Sequence, residues 1–244
     1  MAAALSDVGW HVLAVIGRDA PAEVTRAAAR DVDAVIVATP DAAVADVAAA
    51  IEPVASTVVL HLAGSLGLDV LAPHPRRAAV HPLVAMPDPE VGAARLRARA
   101  WFAVAGDPLA RRIVDDLGGR AFEVADADRA RYHAAAVIAS NHVVALLGQA
   151  ERVAATAGVP FEAYLDLVRA TIDNVAALGP ALALTGPAAR GDDATIRRHI
   201  EALDPSERAT YEAMAREARR LAAQRDEATP AAGTGDDDRM RGWS

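Results

Sequence analysis

A chain of 244 residues with 53% hydrophobic side chains is long enough to bury two cores, so a two-domain globular protein is the expectation. With 33 acidic and 25 basic side chains the net charge is -8, and no basic run is flanked by aromatics, which excludes nucleic acid and anionic membranes as expected partners. Cysteine and lysine are both absent, which excludes disulfides, thiolate chemistry, Schiff bases and a phosphate-loop lysine, and leaves acid–base work to His, Asp, Glu or Tyr.

The first segment, Met1 to Ile16, carries Asp7 and His11 without a basic start or a spanning length, so it reads as neither signal peptide nor membrane span. A cytoplasmic protein is expected. The β-branched run His11 to Arg18 (HVLAVIGR) predicts a strand, Pro21 to Arg30 a helix, Asp33 to Pro40 (DAVIVATP) a second strand, and Asp41 to Ile51 a helix capped by Asp41. The alternation continues through a strand at Thr57 to Leu62, a short helix near Leu66 to Leu71, strands at Ala78 to His81 and Ala98 to Val104, a helix over Pro108 to Leu117, and a last strand at Ala121 to Val124. Beyond it only helical patterns recur, at Asp128 to Ala157, Pro160 to Leu178, Asp193 to Leu203 and Pro205 to Arg225.

This order predicts an α/β fold, a Rossmann-type parallel sheet over residues 1–125, followed by an all-α helical domain over 126–225, with 226–244 a disordered tail. The glycine-rich turn that seats a dinucleotide between the first strand and first helix of such a fold is not found, and Ala2 to Gly9 reads as the end of that first helix. One strand and its glycine loop are therefore expected upstream of Met1, through a mis-assigned start or a real truncation. The alternative is a shortened α/β fold in which the two strands that would flank the missing one pair directly.

Several residues at expected strand ends are placed to contact a cofactor. Arg18 closes the first run, where an arginine would accept a 2′-phosphate and favour NADP, with NAD as the alternative; an exposed arginine after a strand reads the same way. Thr39 and Pro40 end one strand and open a helix, as contacts to a ligand or as a plain helix start. Gly64 would let backbone approach a ligand closely and Ser65 could hydrogen-bond it, while His81 and Pro82 end another strand facing the same crevice. His61 and His81 are each as readily core histidines, and their spacing matches no metal motif, so no metal is expected. On the long helix, His133, Val137, Ser140 and Val144 share a stripe at helical spacing with Asn141 beside it and His142 on the opposite side; the polar groups face a cleft or satisfy one another in the core. Arg190, in the loop TGPAARGD, stands beside Asp192 and Asp193 at a helix start, as an anion clamp or a loop residue.

Taken together, the strings HLAGSLGLDVLAP, HPLVAMPDPE, YHAAAVIASNHVVALL and LTGPAARGDDATIRRHIEAL resemble the Rossmann-like proteins, members of which occur in bacteria, whose C-terminal half is the domain of unknown function 2520. That family is more distantly similar to pyrroline-5-carboxylate reductases, ketopantoate reductases and 6-phosphogluconate dehydrogenases. The resemblance implies an oxidoreductase with NADP bound in the first half, and a helical second half that forms a homodimer and closes the site on a small-molecule substrate, a 2-oxo or imino acid such as ketopantoate. The lysine that some of these relatives carry on the long helix is absent, and His133 takes a comparable place. The resemblance thus casts His133 as proton donor, Ser140 and Asn141 as carbonyl-orienting groups and Arg190 as anion clamp. The alternative reading is a non-catalytic NADP-binding regulatory or accessory protein.

Overall fold

The computed structural model describes residues 1–228, and these divide into two compact units, Met1–Val143 and the residues from Val144 onward. The first unit contains α1 (Ala2–Asp7), α2 (Ala22–Arg26), β1 (Ala34–Val37), α3 (Val44–Ala50), β2 (Val58–His61), β3 (Arg76–Pro82), α4 (Pro89–Leu96), β4 (Trp101–Gly106), α5 (Leu109–Asp116), β5 (Arg120–Glu123) and α6 (Arg129–Val137). A π-helical turn over Ile138–His142 follows, and α7 (Val143–Thr156), α8 (Glu162–Leu178), α9 (Pro180–Ala183), α10 (Asp193–Ala202) and α11 (Pro205–Ala228) complete the chain.

The five strands form one sheet in the order β1-β2-β3-β4-β5. β1, β2 and β3 are mutually parallel, with Val37 opposite His61 and His61 opposite Ala79, whereas β4 runs antiparallel to β3 and parallel to β5. Alternation along β2 sends Val58 and Leu60 to one face and Val59 to the other, and all three are buried, because helices cover both faces. One core gathers Leu5, Val58, Leu60, Val80, Phe102 and Ile113; the other gathers Val37, Val44, Val59 and Leu71. This is a Rossmann-type α/β sheet followed by helices.

The expected strand at His11 to Arg18 does not form. Val12, Leu13, Val15 and Ile16 are 39%, 70%, 79% and 40% exposed and the segment joins no strand of the sheet. A β-branched run only fits a pleated, half-buried surface; it becomes a strand where an edge in register receives it, and here α1 is anchored into the core through Ala4 and Leu5 while the run beyond it reaches neither open edge. Arg18 accordingly closes no strand and is exposed. Asp41 is not a helix cap either: residues 41–43 make a 3-10 turn, and α3 begins after it without a side-chain cap. A further helix, α4, occupies a stretch in which the sequence reading expected no element; Asp88 caps it by accepting from the Val91 N–H at 2.9 Å.

Strands end at Glu123, yet the first unit runs on to Val143, because the side chains of α6 pack on the sheet's ends. In the second unit Asp192 caps α10, accepting from the Thr195 N–H at 3.0 Å, and Arg152 forks onto Glu207 at 2.6 and 3.0 Å. α11 continues through Ala228, so Asp226–Ala228, expected within a disordered tail, are helical; the rest of that tail lies outside the described residues. No helix among the described residues is long and apolar enough to cross a membrane.

Candidate functional site

The carboxyl ends of β1, β2 and β3 lie at the same end of the sheet because the strands are parallel, with β3 running on past Ala79, the residue opposite His61, to Pro82, and in open α/β sheets this is where ligands bind. His61, the last residue of β2, is fully buried and holds the loop that follows: its Nε2 bonds the Gly67 carbonyl at 3.2 Å while its Nδ1 accepts from the Ala63 N–H at 3.2 Å. Burial lowers its pKa below the ordinary imidazole value, so this neutral tautomer persists. The loop Ala63 to Gly67 is thereby fixed, and Gly64 is presented to the sheet's end.

Gly64 is buried, and a Cβ built on it would stand 2.7 Å from His133 Cδ2 and 2.9 Å from His81 Nε2. The close approach that only glycine allows is therefore made by two imidazoles. Their rings meet edge to face with centroids 5.8 Å apart, and Tyr132 completes the group, its hydroxyl 2.6 Å from His81 Nδ1. Desolvation pushes His81 down to about 4, with the neighbouring His133 adding to the shift, and it pushes the Tyr132 phenol up to about 12. At neutral pH the phenol is protonated and His81 neutral, so Tyr132 donates to Nδ1 and the ring proton of His81 sits on Nε2. Phe122 packs edge-on against Tyr132, ring centroids 5.7 Å apart.

Around this cluster Ser65 Oγ donates to the Asp41 carboxylate at 2.9 Å, and Thr39 Oγ1 is buried with no hydrogen-bond partner. Pro82 is buried at the end of β3, and Pro40 is exposed at the start of the 3-10 turn. Asp126 accepts the Leu68 N–H at 3.0 Å and the Arg129 Nε–H at 3.3 Å. Among the described residues no group of three His, Asp or Glu could hold a metal ion.

The fold thus brings together Gly64, His81 and His133, with Thr39, Ser65 and Pro82 at neighbouring strand ends. Ser140 and Asn141 lie apart from that cluster's bonds. The π turn breaks the α-helical phase on which the expected stripe rested, both residues are exposed, and Ser140 Oγ is engaged by the Ala136 carbonyl at 2.7 Å and by Asn141 Oδ1 at 2.8 Å. Arg190 belongs to the second unit, exposed at the end of a 3-10 turn over Ala188–Arg190. Sequence reasoning missed Tyr132, Asp41, Asp126 and Arg129. A basic residue at the very start of a helix, three after an aspartate, was the available signal for Arg129, since the helix dipole gives it no reason to be there.

The chain from β4 through most of α11 matches one family. Residues 102–218 match the family model described as Domain of unknown function (DUF2520). Tyr132, His133 and Arg129 all fall in this DUF2520 region. Among solved structures the chain is similar to protein TM1727 from Thermotoga maritima, at 26% identity over 78% of each chain with a TM-score of 0.66. It is also similar to BF3122 from Bacteroides fragilis, named as a candidate NADP oxidoreductase, at 23% identity over 79% of this chain and 78% of that one, TM-score 0.66. A third likeness, to Plasmodium falciparum pyrroline carboxylate reductase with NADP bound, has 14% identity over 81% and 80% of the two chains, TM-score 0.51. At such identities the latter two establish the fold. A search of curated proteins finds no match.

Proposed function

We propose that the protein is an NADP-dependent reductase of a small 2-oxo or imino acid, ketopantoate being one 2-oxo acid to test. The observation that carries this reading is the Tyr132–His81–His133 cluster, seated on Gly64 at the carboxyl ends of three parallel strands. Two of the structural likenesses, one named for NADP and one holding it, support the choice of cofactor.

The residues at the strand ends fit a nucleotide. Thr39 Oγ1 is a buried donor with no partner, a group that natural proteins seldom leave unsatisfied, and it stands just beyond β1. Thr39, Pro40 and the Gly64–Ser65 backbone would hold the cofactor, which when bound supplies a hydride. His133 is the proposed proton donor to the reduced carbonyl or imine. Tyr132 orients His81, which packs against the His133 ring. Ser140 and Asn141, at the π turn, are proposed to orient the carbonyl group.

The test is a fluorescence titration of NADPH and NADH into the full chain. NADPH is expected to bind more tightly than NADH, and Thr39→Ala to weaken it by about tenfold, the worth of one hydrogen bond to an otherwise buried group. Failure of both nucleotides to bind would remove the reductase reading.

A homodimer belongs to the same proposal. α8 spans 17 residues and buries none of them, and Leu167, Ile172, Leu178 and Leu182 are each more than half exposed. Large apolar side chains exposed along α8 and, at Leu182, on the adjoining α9 are what a second copy would cover. Static light scattering at micromolar concentration is expected to give twice the chain mass, and the mass of one chain would refute the dimer.

A further inference from the structure

Arg129 is the largest fully buried side chain of the described residues, with no solvent exposure, yet only its Nε finds an acceptor, Asp126 Oδ1 at 3.3 Å. Nη1 and Nη2, which carry four N–H donors, have no partner. Asp126 does not compensate fully, because it is 48% exposed and its other oxygen already accepts the Leu68 N–H. A guanidinium taken out of water with most of its donors unmet is costly, and native proteins retain one where something else completes it.

Helix stability gives no account of this residue. Arg129 opens α6, where the dipole disfavours a cation, and the first turn of α6 carries no acid. Its position does point to a ligand. Tyr132 and His133 follow it by three and four residues, the spacing that stacks side chains on one helix face, and both rings pack against His81. Asp126, the Arg129 partner, lies against Gly67, at the end of the loop whose Gly64 touches both imidazoles. The Arg129 charge also lowers the proton affinity of His61, His81 and Tyr132, which places it among the groups of the crevice. Thr39 Oγ1 is a second buried, unpartnered polar group at the same strand ends.

We propose that Arg129 binds an oxyanion in this crevice, its two Nη groups closing on two oxygens of one carboxylate or phosphate. A planar fork meeting two oxygens is the geometry that arginine supplies and lysine does not. The proposal rests on the crevice being the reductase site, and the oxyanion is then the substrate carboxylate or a phosphate of the nucleotide. Because the Nη atoms are shielded, a covering side chain must move as the anion enters.

Calorimetric titration of the full chain with sodium pyruvate, sodium phosphate and NADPH, in the wild type, Arg129→Gln and Arg129→Lys, tests this. A loss of pyruvate affinity of about tenfold or more in Arg129→Gln, with NADPH unchanged, assigns the oxyanion to the substrate. The same loss for NADPH and phosphate assigns it to the cofactor. Arg129→Lys, which keeps the charge without the fork, is expected to recover only part of either loss. Equal affinities in wild type and Arg129→Gln for all three probes, or a wild type that binds none of them, overturn the proposal. Should Arg129→Gln fail to fold, thermal unfolding of the wild type replaces it: pyruvate or phosphate must raise Tm above chloride at equal ionic strength, and no rise with either is equally fatal. Arg129-dependent binding of pyruvate or phosphate without any binding of NADPH would remove the reductase reading and leave the oxyanion site standing.

Discussion

Alanine at Gly64 is expected to destabilise the first unit by about 1–3 kcal/mol, the usual range for overpacking a tight core site, and to part the two imidazoles. The added Cβ would lie 2.7 Å from His133 Cδ2 and 2.9 Å from His81 Nε2, closer than carbon atoms tolerate. Neither ring yields freely: His81 is held by the 2.6 Å bond from Tyr132, and the ring of His133 is wedged edge-on against it. The loop cannot retreat either, since His61 pins it at Ala63 and Gly67. Urea unfolding measures the first effect. An NMR titration of the imidazoles measures the second, because His81 should move from about 4 back toward the ordinary histidine range once water enters and His133 is pushed away. Wild-type stability with unshifted imidazole resonances would mean that the cluster is loose and the close approach incidental.

His133→Gln is expected to lower reductase turnover by about a hundredfold or more, the usual contribution of a positioned acid, while NADPH binds as before. Glutamine keeps a polar group of similar reach but cannot deliver a proton. The readout is NADPH consumption with a panel of 2-oxo acids, including ketopantoate, and cyclic imino acids. A drop in kcat without a matching loss of cofactor affinity separates proton donation from damage to the crevice, which would weaken both. Unchanged turnover would take His133 out of the chemistry and leave Tyr132, whose phenol keeps its proton at neutral pH, as the donor to examine.

Much of the fold was legible in the sequence. The run TVVLHL, apolar on both alternating faces, reads as a strand covered on two sides, and the same logic found the strands that became β1, β3, β4 and β5. The run HVLAVIGR carried an equal local signal and is exposed outside the sheet, because strand formation depends on a partner edge that local composition does not encode. The π turn at Ile138–His142 was illegible for a related reason. Its five residues have ordinary helical character, and one shifted hydrogen-bond register was enough to take Ser140 off the stripe that α-helical spacing assigned it.

The candidate site divides along the same line. Residue identity and spacing limit which chemistries are open, since a chain without cysteine or lysine must use histidine, tyrosine and carboxylates, and they put Thr39, Gly64, His81 and His133 at strand ends and on the long helix. The folded contacts add that His81 and His133 touch across Gly64, that Tyr132 sets the His81 tautomer, and that Arg129 is buried with its fork unfilled. These facts depend on contacts between residues far apart in the chain, where desolvation and close approach set proton affinity and hydrogen bonding. A residue's identity and spacing say what it can donate or accept; its burial, fixed by the packing of the sheet's ends against α6, says whether water or a ligand must answer it.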